Sequence, residues 1–153
     1  MSDLCTPILE FGTSRFLQAH AALFMSEARV PRSITVVQSS GDPARSGRLA
    51  ALAAPEGYPV ILRGLQDGQP MTREIRVTSV RRALSTATDW AEITRVFCEE
   101  AEVVISNTSD AGWQPQAADL SPAPRQDTSY PAKLFHLLAA RHAGARRIYV
   151  TDR

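Results

Sequence analysis

Apolar residues along this chain fall into short runs separated by stretches of helical spacing, and that alternation is the main signal of its fold. Residues 7–11 form a short, largely apolar run with Glu10 as its odd member, which predicts a strand buried on both faces. Gly12 follows at once. Phe16, Leu17, His20, Leu23 and Phe24 then recur as one stripe at helical spacing, which predicts a helix packed by that stripe onto a sheet. Beyond Pro31, the β-branched run 33–38 predicts a second strand and completes a βαβ unit.

Residues 39–43 are a turn cluster, and the alanine-rich segment 44–54 has the composition of a short helix. The pattern then changes. Residues 58–65 and 71–80 are β-leaning runs joined by Gln66-Asp67-Gly68-Gln69, and Asp-Gly between such runs predicts a hairpin. Asp89 with Glu92 three residues on resembles a capping box. Trp90, Ile93, Val96 and Phe97 follow at helical spacing, so a helix is expected over about 90–99 with Trp90 in the core. Residues 103–106 predict another strand, with the polar Asn107-Thr108-Ser109-Asp110 at its carboxyl end. Residues 113–128 carry Pro115, Pro122 and Pro124 and no period, as a long surface loop would. Pro131 suits the first turn of a helix with Leu134, Leu137 and Leu138 on its apolar face and Gly144 at its end, and residues 147–151 predict a last strand. Strand and helix alternate as in a doubly wound α/β domain with a mostly parallel sheet and an inserted β-hairpin.

Composition narrows the class. At 153 residues, 44% apolar and 22% charged, the chain fits one globular domain with a sizeable core. Its formal net charge of +1 supplies no overall field for nucleic acid or an anionic membrane, and neither is expected as a partner. Cys5 and Cys98 stand far apart without metal-ligand spacing, so free thiols and no metal site are expected. Asp3, Glu10 and Arg15 break the N-terminal apolar run, which fits neither a signal peptide nor a membrane span, and a cytoplasmic location is expected.

The chemistry concentrates at strand ends. The turn at Gly12 occupies the place where a doubly wound fold faces the pyrophosphate of a dinucleotide. The G-x-G-x-x-G pattern is incomplete, with Ser14 at the second glycine and Leu17 at the third. Arg15 reads either as a phosphate ligand or as a solvated arginine, and Asn107 and Thr108 either as ligand contacts or as a turn. His20, on the stripe, reads as a buried structural histidine in preference to a catalytic one. His136 and His142 are six residues apart, and Arg81-Arg82 and Arg146-Arg147 read as solvated surface or carboxylate partners. The second strand ends in Gln38, Ser39 and Ser40, with Asp42, Arg45 and Arg48 just beyond.

Taken together, FGTSRFLQAH, SITVVQSSG, YPVILRGLQDG, VTSVRRALSTATDWAEI, VVISNTSDAGW and SYPAKLFHLLAARHAG resemble, in order and over nearly the whole chain, the N-terminal domain of the mannitol dehydrogenase family. Within it the look is closest to the tagaturonate and fructuronate reductase branch. The resemblance implies a Rossmann-type dinucleotide-binding domain over residues 1–153, and a nicotinamide cofactor that serves a secondary alcohol and ketone pair in sugar alcohols and hexuronates. NAD is favoured by the family, and the local residues leave NADP open. Cofactor contacts are implied at Gly12, Thr13, Ser14, Arg15 and Phe16 in the turn, at Gln38, and at Asn107 and Thr108. Ser14 and Gln18 depart from the family, which shows glycine and arginine there. The family's catalytic lysine, asparagine and histidine lie in a helical second domain that these residues do not contain, and Lys133 does not match that lysine. The expectation is therefore a cofactor domain inactive by itself. The rival is a non-catalytic remnant or interaction module that self-associates through the face a second domain would cover.

Overall fold

Among the described residues, seven strands and five α-helices run in the order the hydrophobic pattern sets. The computed structural model describes residues 5–40, 42, 44, 46–108, 110–143 and 149–152. Five strands form one sheet in the order β5-β2-β1-β6-β7: β1 Ile8–Phe11, β2 Ile34–Gln38, β5 Val80–Ser85, β6 Val103–Ser106 and β7 Tyr149–Asp152. Every pairing in it is parallel. The chain leaves β1 toward β2 and β5, then returns to the other side of β1 for β6 and β7. That reversal between β1 and β6 is where doubly wound sheets open a crevice at their carboxyl ends.

Both sheet faces are covered, which is why β1 and β2 are buried at every position. Alternate side chains separate the two cores. Leu9 and Phe11 point into a cluster with Ile93, Val96, Phe97 and Leu137, contributed by α4 Trp90–Arg95, the π-helical turn Val96–Glu100 and α5 Tyr130–His142. Ile8 points into the other cluster, with Leu23 of α2 Ala21–Glu27, Leu49 and Leu52 of α3 Ser46–Leu52, and Ile75 and Val77 of the hairpin.

The hairpin pairs β3 Tyr58–Gln66 with β4 Gln69–Val77 around Asp67 and Gly68. Both turn residues have positive φ, 53° and 77°, the conformation that a two-residue hairpin matched to strand twist demands and that Gly68 adopts without strain. The second arm ends earlier than the sequence predicts. Val80 opens β5, a separate parallel strand on β2, because Ser79 caps the change of direction: its Oγ donates to the Ala22 carbonyl at 2.6 Å and its N–H to Ser26 Oγ at 2.9 Å.

The first helical stretch also differs. It is two pieces, α1 Arg15–Ala19 and α2, broken at His20, whose φ and ψ of −124° and −78° are not helical. Leu17, Gln18, Ala22 and Leu23 face the sheet, while Phe16 and Phe24 are more than half exposed. The break rotates the stripe, so two of its aromatic members face outward. His20 is exposed rather than buried; its Nδ1 donates to the Phe16 carbonyl at 2.8 Å, and its ring stacks on Phe16 and meets Phe24 edge-on. Asp89 does not form the expected capping box either. Its carboxylate accepts from the Ser85 N–H at 2.8 Å and from the Thr88 hydroxyl, and Glu92 turns to Arg95 instead. Leu138 is exposed on α5, whose sheet-facing side is Leu137 with Lys133 and Arg141. Gly144, Arg146-Arg147, Arg45 and Ser109 lie outside the described residues.

Arg82 has carboxylate partners, Glu100 at 3.3 Å and Glu92 at 3.7 Å, whereas Arg81 is exposed. Glu100 also accepts from Arg95 at 2.6 Å and from the Thr6 N–H at 2.8 Å. Burial pushes the Glu100 carboxyl up, but these donors outweigh it and hold it below the usual range. This ion network sits beside Thr6, at the amino end of β1, away from the crevice. Cys5 and Cys98 are free thiols.

Candidate functional site

The carboxyl ends of β1, β2 and β6 converge on a cleft of about 680 Å³. That volume falls inside the roughly 300–1,000 Å³ range of small-molecule and cofactor sites. Its first wall is the turn after β1, made of Gly12, Thr13 and Ser14. Gly12 has φ +120°, a region L side chains rarely adopt, and an added Cβ would press Leu17 Cδ1 at 3.3 Å. Only glycine lets β1 turn this sharply beside β6, which is the physical content of the first glycine in a dinucleotide turn. Ser14 is the N-cap of α1, where its Oγ accepts the Leu17 N–H at 3.2 Å. The hydroxyl at the second glycine position is therefore held toward its own helix.

The second wall is the end of β2, with Gln38, Ser39 and Ser40, and Arg48 reaching in from α3. Gln38 is buried and its Nε2 donates to the Asp42 carbonyl at 2.9 Å. The third is the end of β6, where Asn107 and Thr108 follow the strand and Gly112 lies against Thr108. A Cβ on Gly112 would come within 2.5 Å of Thr108 Cγ2, so a larger residue would displace that side chain.

The remaining wall is the segment the sequence predicts as a long loop. It is a surface segment, but an ordered one, with 3₁₀ turns at Asp110–Trp113 and Ala117–Leu120. Asp119 organises it: one carboxylate oxygen accepts the Gln116 N–H at 2.9 Å and the other the Ser129 N–H at 2.7 Å. Those two backbone donors lower the Asp119 carboxyl. Ser129 in turn caps α5, and Trp113 meets Tyr130 edge-on at 5.7 Å, with Tyr130 tilted against Phe11 of β1. The loop is thereby fastened to the helix that carries Lys133.

Lys133 is 3% exposed and lines the cleft. Its ammonium donates to the Ser39 and Gln126 carbonyls, each at 2.9 Å. Burial pulls its pKa down, opposed by Asp127 and Asp119. Arg48 and Lys133 face a single cleft carboxylate, Asp127, among the described residues, so the lining is polar and cationic on balance. No histidine lines it, and no cluster of metal-ligating side chains occurs among the described residues.

Of the residues predicted as a site, Gly12, Thr13, Ser14, Gln38, Asn107 and Thr108 come together in this cleft. Arg15 and Phe16 do not line it; both are exposed in the first turn of α1. Lys133, Gln126 and the loop residues were not in the prediction. The one local signal for Lys133 is its i, i+4 spacing to the apolar Leu137, which puts both on one face of the helix without saying what that face meets.

Beneath the β1 turn lies a second polar group. Glu10 is fully buried; one oxygen accepts from Gln18 Nε2 at 2.9 Å and the other has no hydrogen-bond partner among the described residues. The Tyr58 hydroxyl donates to Gln18 Oε1 at 2.8 Å. Burial pushes the Glu10 carboxyl up to about 7, against the lowering pull of the Gln18 hydrogen bond, and burial beside Glu10 raises the Tyr58 hydroxyl as well. Gln18 is thus the link between a strand carboxyl and the hairpin.

Among the described residues no helix is long and apolar enough to cross a membrane. No protein-family model matches the chain. It is 27% identical over 146 residues to the altronate oxidoreductase of Halalkalibacterium halodurans, an alignment covering 92% of this chain and 28% of that protein. Its fold is similar to that in a crystal structure of D-sorbitol dehydrogenase in substrate-free form, with a TM-score of 0.75 at 15% identity, over 97% of this chain and 34% of the other. The chain thus spans about a third or less of the length of these relatives, and its likeness to the solved dehydrogenase is one of α/β fold.

Proposed function

We propose that the cleft binds a nicotinamide dinucleotide, and that this chain is the cofactor-binding part of an oxidoreductase acting on a sugar alcohol or hexuronate. The observation that carries this reading is the position of the cleft. It opens at the β1/β6 reversal, behind a glycine turn at φ +120°, with hydroxyl and amide side chains on its walls. The fit is consistent in charge, since Arg48 and Lys133 outnumber Asp127 and a dinucleotide is anionic. Gly12, Thr13 and Ser14 would lie along the pyrophosphate, Gln38 at the adenosine ribose, and Asn107 and Thr108 toward the nicotinamide half. Arg15 and Phe16 flank the turn and receive no contact in this assignment. When bound, the nicotinamide supplies or accepts the hydride. The chain's own residues hold and orient it.

The similarity to an altronate oxidoreductase supports the hexuronate side of the mannitol dehydrogenase-like family, the tagaturonate and fructuronate reductase branch, and with it a cytoplasmic setting. Titration calorimetry of the purified chain with NAD(H) and NADP(H) tests the core of this reading. Saturable binding that Gly12→Val abolishes is expected; no heat at millimolar cofactor removes the proposal.

One observation favours the rival reading of a fold kept as an interaction module: Phe16 and Phe24, 53% and 59% exposed, form a row with His20 between them, stacked on one ring and edge-on to the other. Self-association of two copies through that row, lost in Phe16→Ser, together with absent cofactor binding, would favour the rival. Light scattering decides between the two.

A further inference from the structure

We infer that the β2 end of the cleft is built for a phosphate on the adenosine ribose, so that the preferred dinucleotide is NADP(H); this rests on the dinucleotide reading above. In doubly wound domains a carboxylate near the end of the second strand binds the ribose hydroxyls of NAD, whereas a nearby arginine receives the 2′-phosphate of NADP. Here β2 closes on Gln38, an amide already committed to the Asp42 carbonyl. Ser39 and Ser40, the next two residues, line the cleft and offer hydroxyl donors. The first carboxylate in sequence, Asp42, does not line it; its Oδ1 accepts the Ala44 N–H at 3.0 Å.

Arg48 lines the cleft from α3, is exposed, and has no ion-pair partner among the described residues. Guanidinium and phosphate match in geometry and form paired charge-assisted hydrogen bonds. Lys133 stands on the far side of Ser39, its Nζ 2.9 Å from that residue's carbonyl, and adds positive charge to the same end. The opposing carboxylate, Asp127, is shared with Arg125 at 3.7 Å. The strand end therefore presents hydroxyls and a cation with no ion-pair partner among the described residues, where an NAD-selective site presents an acid.

The test is calorimetry on the whole chain with NADP(H), NAD(H), adenosine 2′,5′-bisphosphate and 5′-AMP. NADP(H) is expected to bind at least tenfold tighter than NAD(H), and the bisphosphate at least tenfold tighter than AMP. Arg48→Ala should shrink each ratio by about tenfold or more, the range set by one lost charge-assisted bond, and Ser40→Asp should invert the first. Because both side chains are exposed, unchanged circular dichroism is the folding control. Equal or tighter binding of NAD(H), or a ratio that Arg48→Ala leaves untouched, overturns the inference while leaving the dinucleotide reading standing. Binding of neither cofactor overturns that reading and this one with it.

Discussion

The ammonium of Lys133, on α5, lies 2.9 Å from the carbonyl oxygen of Ser39, just past β2, and so ties together two walls of the cleft that are 94 residues apart in sequence. The same Nζ holds the Gln126 carbonyl of the loop, so one buried cation fixes the relative positions of strand end, loop and helix. A hydrogen bond to a charged group contributes roughly 1.5–3 kcal/mol, part of which is offset by the cost of burying the ammonium. Lys133→Met is therefore expected to destabilise the fold by about 2 kcal/mol in urea unfolding and to weaken dinucleotide binding at least tenfold. A variant of unchanged stability and affinity would mean that the tie is incidental.

Glu10 makes the stability of the domain depend on pH. Its carboxyl is raised from 4.5 to about 7 on folding by burial, so the folded state holds a proton that the unfolded chain releases. A raised acid favours the fold fully below the unfolded value and loses that advantage as pH climbs to the folded one. Stability contributed by Glu10 should accordingly fall between about pH 4.5 and 7, by on the order of 3 kcal/mol. Glu10→Gln, which keeps the Gln18 contact, should flatten the melting profile across that window and raise the melting temperature at pH 8. Parallel profiles for both proteins would count against the assignment.

The two halves of the first helical stripe should respond differently to truncation. Leu23 is 2% exposed and Phe24 59%. Leu23→Ala should cost about 2–5 kcal/mol, as buried large-to-small changes do, whereas Phe24→Ala should stay within about 0.5 kcal/mol. Chemical denaturation of the two variants checks this. A large loss at Phe24 would show that the outward face is packed in solution.

By themselves these 153 residues are expected to turn over no sugar. No histidine lines the cleft, and Lys133 is committed to two carbonyls, Ser39 past β2 and Gln126 of the loop. A positioned proton carrier alone contributes about a hundred- to ten-thousand-fold in rate. Incubation with NADPH or NADH and tagaturonate, fructuronate or fructose should leave the nicotinamide absorbance flat. Turnover that survives repurification and is lost with Lys133→Met would make that lysine a participant.

The sequence by itself determined the order and kind of the elements, the hairpin at Asp67-Gly68, and the turn at Gly12, because period, β-branching and glycine conformation are local properties of the chain. It also marked six residues that share the cleft, since strand ends in an alternating α/β pattern converge on one edge. Tertiary structure decided the rest. Which side of the 16–24 stripe faces the sheet depends on a break at His20, where the ring also bonds the Phe16 carbonyl, and periodicity assumes an unbroken helix. The separation of β5 from the hairpin depends on Ser79 bonding to α2, more than fifty residues upstream. Lys133 became part of the site only because α5 lays it against the end of β2, and Glu10 became a titrating group only because Gln18 and Tyr58 close over it. Long-range contacts of this kind leave no period in the sequence, so the residues that make them are visible only once the chain has folded.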